Sequence, residues 1–178
     1  MLITLILILI IIICLILILY VTTYNNLATY KTKIEKAESI IDDALREKYD
    51  IICKLNVQIK KEVTKKDYLK DYIELKDKRI TNYEMDRKLT EAMNIIMEVK
   101  NDHEKLNNKE FNELLKKIDE LNETLASSKT YYNNNTSKLN QIIRKFPSNI
   151  VAKIHRYKIK PFFDGKNMQD AVIDDFKL

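Results

Sequence analysis

The N-terminal run of the chain limits what the rest can become. Sixteen of the nineteen residues Met1–Leu19 are Leu or Ile, and the run through Val21 carries no charged side chain, Gly or Pro. At ~1.5 Å rise per residue, some twenty such residues cross a ~30 Å hydrocarbon core. Sixteen Leu/Ile at roughly −0.5 kcal/mol each favour insertion by about 8 kcal/mol. Backbone groups in lipid must bond within the segment, so the run has to be a helix. A cleaved signal peptide would need a basic start, a shorter apolar core and a small-x-small exit. Here nothing basic precedes the run, and it ends in Leu19-Tyr20-Val21-Thr22. Residues 1–21 are therefore expected to be an uncleaved transmembrane anchor.

The residues that follow must build a domain with almost no loop formers. The chain of 178 residues has one Gly and two Pro, and Pro147, Pro161 and Gly165 all lie near its end. Dinucleotide folds and phosphate loops need several glycines, so both are excluded. Cys14 lies within the run and Cys53 in the polar chain, which excludes a disulfide framework. The net charge of +5 comes from interspersed Lys, Arg, Asp and Glu, the pattern of solvated helix faces. Lys31, Lys33 and Lys36 follow the run within 15 residues. Positive-inside bias then places the N-terminus outside and the domain in the cytoplasm.

Apolar periodicity predicts helices throughout. Leu27, Tyr30, Ile34, Ala37, Ile41 and Ala44 fall at 3-4 spacing. The stripe then slips at Tyr49-Asp50, and Ile52, Leu55, Ile59 and Val63 continue it out of step, which predicts a kink or local unwinding. A first helix is expected over about 22–63, continuous with the anchor and bent near Asp50. Thr64 offers an N-cap for a short second helix with Leu69, Ile73 and Ile80. Met85, Leu89, Ala92, Ile96 and Val99 predict a third, ended by loops at Asn101-Asp102 and Asn107-Asn108. The fourth seam runs Phe111, Leu114, Ile118, Leu121, Leu125, Ser128, Tyr132, Asn135, Leu139, Ile142, Phe146, until Pro147 stops it. Such a seam fits a helix bundle or a coiled coil.

Several residue pairs resemble one known family. Tyr24-Asn25, Tyr49-Asp50-Ile51-Ile52 with Leu55, and Phe111 with Leu114 are similar to bacterial LemA proteins. So are Tyr132-Asn133, Phe146-Pro147-Ser148-Asn149-Ile150 with Ala152, and Phe162-Phe163. The family's Pro after Ile51-Ile52, its Tyr-Pro near Asp102-His103 and its Trp near Asp42 are missing. The resemblance implies an all-α, single-pass membrane protein: an anchor (1–21), an up-and-down antiparallel four-helix bundle with long helices (22–163) and a short tail (164–178). It implies no reaction.

No residue constellation points to catalysis, a cofactor or a metal. His103-Glu104 lacks the second His of a zinc helix, and His155 has no carboxylate three or four residues away. Glu35, Glu38, Asp42 and Asp43 lie mostly off the apolar stripe, and Glu-x-x-His does not occur. Tyr20 and Tyr24 suit a membrane interface. The segment from Arg144 to Phe163 is basic and free of acids. Its Lys153, Arg156, Lys158, Lys160, Phe162 and Phe163 form a candidate contact with an anionic membrane surface. Nucleic acid is not the expected partner, because an anchored domain already sits beside phospholipid. Counting four antiparallel helices brings Phe146 and this segment back to the membrane side. The expected function is thus a non-enzymatic interaction or scaffold module, with an unidentified protein partner, at the bacterial cytoplasmic membrane. The alternative is an extended dimeric coiled-coil scaffold of the cell-division type.

Overall fold

A computed structural model describes residues 1–63, 67–77 and 80–165. The chain is all-helical, with no strand among the described residues. Its elements are α1 (Leu2–Glu62), α2 (Lys70–Ile73), α3 (Asn82–Asp102), α4 (Lys109–Arg144) and α5 (Ser148–Ile154). Single 3-10 turns cover Glu74–Asp77 and Glu104–Leu106. Two compact units are formed, one from Met1–Lys36 with the chain from Tyr131 onward, the other from Ala37–Thr130. Thr64, expected as an N-cap, and the tail beyond Gly165 lie outside the described residues.

α1 is one hydrogen-bonded helix of 61 residues, unbroken at Asp50. Its first part, long and apolar enough to cross a membrane, is exposed from Met1 to Leu19. The one hydroxyl in that part, on Thr4, donates to the Met1 carbonyl at 2.6 Å and is met within the helix. From Leu27 the buried residues of α1 are Leu27, Ile34, Ala37, Ile41 and Ala44, followed by a broader face of Leu45, Lys48, Tyr49, Ile51, Ile52, Leu55, Asn56 and Ile59. The residues expected to continue the stripe out of step, Ile52, Leu55 and Ile59, are buried on that face, and the helix runs through Asp50 without a break. Lys48 is a buried lysine where the apolar pattern calls for a hydrophobic residue.

The second expected helix is only one turn of α-helix, Lys70–Ile73, with Leu69 and Leu75 buried on either side. Ile80 lies outside it, and Thr81 starts α3 as the N-cap of a complete capping box. The Glu84 N–H donates to the Thr81 hydroxyl oxygen at 3.2 Å, and the Thr81 N–H donates to the Glu84 carboxylate at 3.0 Å. Those bonds hold the Glu84 carboxyl below its ordinary value, the backbone bond contributing most. Leu89, Ala92, Ile96 and Val99 of α3 are buried as their spacing predicts. Asn108 caps α4, its side-chain oxygen accepting from the Phe111 N–H at 2.9 Å.

Along α4 the seam is buried at Phe111, Ile118, Leu125, Ser128, Tyr132, Asn135 and Leu139, and half-buried at Leu114, Leu121 and Ile142. Phe146 departs from expectation. α4 ends at Arg144, and the Phe146 side chain beyond it is 74% exposed. Leu125→Ala should cost about 2–5 kcal/mol of folding stability, as deletion of a closed-in side chain does. Leu121→Ala should cost clearly less. Chemical denaturation followed by circular dichroism measures both, and equal losses would contradict the different burial of the two sites.

Candidate membrane-surface site

The C-terminal segment is held against its own unit by side chains that take the place of regular structure. From His155 to Gly165 the chain has no helix, so its backbone groups need partners from elsewhere. Asn140, almost fully buried on α4, satisfies both groups of Lys160: its amide donates to the Lys160 carbonyl at 2.7 Å and its oxygen accepts the Lys160 N–H at 2.9 Å. The Tyr132 hydroxyl donates to the Pro161 carbonyl at 3.0 Å, and the Phe163 N–H donates to the Asn133 side chain at 2.9 Å. Phe163 meets the Tyr132 ring edge-on at 6.4 Å between centroids, and the Lys160 ammonium lies 5.7 Å from the same ring. Tyr132-Asn133, part of the resemblance noted in the sequence, thus fastens this strap.

α5 ends in a Schellman motif. The Tyr157 N–H bonds back to the Ala152 carbonyl at 2.9 Å and the Arg156 N–H to Lys153 at 3.1 Å. Arg156 takes the left-handed conformation, with φ of 55°, at the position where glycine is usual. This turn presents His155 to α1. The His155 Nε2 lies 2.7 Å from the Tyr20 hydroxyl, and the Tyr24 ring centroid is 4.6 Å from the imidazole centroid. His155, within the basic segment, therefore sits beside the last residues of the apolar run. A shallow cleft of 520 Å³ lies there, lined by Tyr24, Lys31, Glu35, His155, Arg156 and Lys158 among others.

Of the residues expected to face lipid, Lys153, Arg156 and Lys158 are exposed, whereas Lys160, Phe162 and Phe163 are half-buried. The exposed apolar side chains of this region are Phe146, Ile150, Ile154 and Ile159. Among the described residues no group of three or more His, Cys, Asp or Glu is placed to hold a metal ion.

A second polar site, in the 37–130 unit, was not foreseen from sequence. Lys48, 2% exposed, donates to the Asn122 side-chain oxygen at 2.8 Å, and Lys129 of α4 pairs with Asp86 of α3. They line a cleft of 490 Å³ with Asp119, Met93 and Met97. Burial holds the Lys48 amine below its ordinary value; Asp86 counters this and Lys129 adds to it. The signal was present in the sequence as a lysine occupying a position of the apolar stripe.

A family model described as LemA family matches residues 37–175. The chain belongs to the LemA family. The matched residues include α5, the strap and the Lys48 site, and begin after the apolar run. A search of curated proteins returned no match.

Two substitutions test the local physics of this LemA-family chain. Arg156→Gly should stabilise the fold by about 1 kcal/mol, by removing the left-handed cost of a side-chain-bearing residue. An unchanged or lower melting temperature would mean that the Arg156 side chain contributes more than its backbone costs. Lys48→Met should raise the melting temperature at neutral pH, since it removes the burial cost that holds the Lys48 amine below its ordinary value. The sign with pH follows from the lowered value. The folded chain releases the Lys48 proton at lower pH than the unfolded chain, so stability rises as pH climbs from the folded to the unfolded value. That alkaline rise should be flatter in Lys48→Met, and melting curves across this range check it.

Proposed function

We propose that this LemA-family protein is a membrane-anchored, non-enzymatic helical module that presents an interaction surface at the inner face of a bacterial cytoplasmic membrane. The observation that carries the proposal is the state of α1. Its first nineteen residues are apolar on every side and exposed, and the same helix continues into a stripe that is buried. A helix that is apolar all round and has no protein covering it needs lipid around it. In this reading residues 22–163 form an up-and-down four-helix bundle whose second helix is a single turn. Short connections and apolar stripes on α1, α3 and α4 support that arrangement.

The orientation has the N-terminus outside, from Lys31, Lys33 and Lys36 just beyond the run. The exposed Lys153, Arg156 and Lys158 add a contact with anionic headgroups, each charge worth about 1 kcal/mol near such a surface. Binding rather than catalysis is favoured by the polar site in the 37–130 unit. Lys129 is paired with Asp86, and Lys48 is turned to an amide.

Two measurements test the proposal on the whole chain. The protein should stay in the membrane fraction through high salt and carbonate, and deletion of 2–20 should release it from that tight attachment. A Glu123→Cys variant lacking Cys14 and Cys53 should resist a membrane-impermeant maleimide in intact cells and react after permeabilisation. Extraction of the full chain by carbonate would overturn the anchor, and labelling in intact cells would reverse the orientation. Crosslinking in native membranes then identifies the partner; a product of two copies alone would favour the dimeric coiled coil.

A further inference from the structure

We infer that α5 and the residue before its proline form a second, peripheral membrane contact, in which Phe146, Ile150 and Ile154 enter the headgroup layer of the bilayer that α1 crosses. The inference rests on the anchored reading above and names the occupant of a surface that reading leaves open. Three observations within one unit converge on it.

The first is exposure. Phe146 is 74% exposed, Ile150 52% and Ile154 60%, although the opposite side of α5 buries Val151 and Ala152. Ile150 and Ile154 are one turn apart and share a face. α5 thus has one side packed and one apolar side uncovered. The second is depth. His155, the residue after α5, meets Tyr20 and Tyr24 at the end of the apolar run. A seven-residue helix is ~10 Å long. The polar layer on each side of a bilayer is about 5–8 Å thick, from a ~30 Å core within ~40–45 Å overall. A helix tied at one end to Tyr20 can lie within or just beside that layer along its length. The third is charge. Lys145, Lys153, Arg156 and Lys158 flank the apolar residues and are exposed, and no acid occurs from Arg144 to Phe163. Apolar residues flanked by lysine and arginine are what an anionic interface retains.

The insertion is assigned to Phe146, Ile150 and Ile154 rather than to Phe162 and Phe163. The Phe163 ring packs on Tyr132, and its N–H is bound to Asn133. A phenylalanine fixed in that way is part of the strap.

The test uses the full chain with Cys14→Ser and Cys53→Ser, reconstituted in phosphatidylcholine vesicles containing phosphatidylglycerol. Single cysteines replace Ile10, Ile150, Ile154 or Glu123 and carry an environment-sensitive fluorophore, with doxyl-labelled lipid as the quencher. Probes at Ile10, Ile150 and Ile154 should lose roughly half their emission, as groups within the acyl and headgroup boundary do. The probe at Glu123 should keep its emission. Without phosphatidylglycerol, or with Lys153→Gln and Lys158→Gln, quenching at Ile150 and Ile154 should fall while that at Ile10 stays. Quenching at Ile10 alone would overturn the second contact and leave the anchor intact. Blue-shifted but unquenched emission at Ile150 would overturn it in favour of a second copy of the chain. No quenching at Ile10 would overturn the anchored reading, and this inference with it.

Discussion

The rest of the structure depends on one change of pattern within a single helix. Up to Leu19 α1 is apolar on all sides; from Leu27 only a stripe of it is apolar and buried. Its backbone hydrogen bonds run through both parts, from Leu2 to Glu62. A helix holds its direction through that ladder, and sharp kinks need a proline, a glycine pair or an inserted group. None of the first two occurs before Phe146. Within Met1–Lys36 the two parts are therefore one continuous helix. Whatever surrounds the residues up to Leu19 sets the azimuth at which Leu27 and Ile34 present themselves, because 3.6 residues per turn fixes the relation between them.

The core that grows on this stripe contains more polar side chains than a packed seam requires. Lys48, Asn56, Ser128, Asn135, Thr136 and Asn140 are all buried. Burying such groups costs free energy unless they are hydrogen-bonded, so each restricts how its neighbours can be arranged. Asn140 shows the gain. Its two bonds to the Lys160 backbone replace the two that a helix or sheet would supply. A purely apolar seam would pack α4 but leave those backbone groups unmet, and the strap would have no fixed register. Asn135, by contrast, bonds to Tyr131 one turn back on its own helix, which satisfies it without specifying a partner.

Much of the fold was legible from the spacing of apolar residues, and the failures have physical causes. The four buried residues of α3 are those the 3-4 pattern names. The long seam of α4 from Phe111 to Leu139 is buried at seven positions and half-buried at Leu114 and Leu121. The first failure was Lys48. A pattern that counts only apolar residues passes over a buried lysine, although Ile52, Leu55 and Ile59 beyond it are buried as their spacing names them. The second was α5, which was not expected: the fourth helix does end before Pro147, but Pro147 is also the N-cap position of a new helix. The third was Phe146, which continues the arithmetic of the seam after the helix carrying it has stopped at Arg144. The capping box at Thr81 and Glu84 was visible as a spacing, yet apolar periodicity has no term for it. The strap was least legible, since its contacts pair Tyr132, Asn133 and Asn140 with backbone atoms twenty to thirty residues away.

The two sets of positive charge near the apolar run act at different stages. Lys31, Lys33 and Lys36 follow the run directly, so in the proposed orientation they are the charges that decide which end stays inside as the chain inserts. Lys153, Arg156 and Lys158 come more than a hundred residues later in sequence and cannot take part in that decision. They reach the same level only after folding, when His155 meets Tyr20 and Asn140 fixes the strap. Charges placed by folding do not choose the topology; in the proposed reading they would add to the hold of the folded domain on an anionic surface, within a Debye length of about 8 Å. Under that proposal, loss of the fold would weaken the surface contact while leaving the anchor in place. The strength of lipid contact would in that sense read out whether α4, α5 and the strap are assembled.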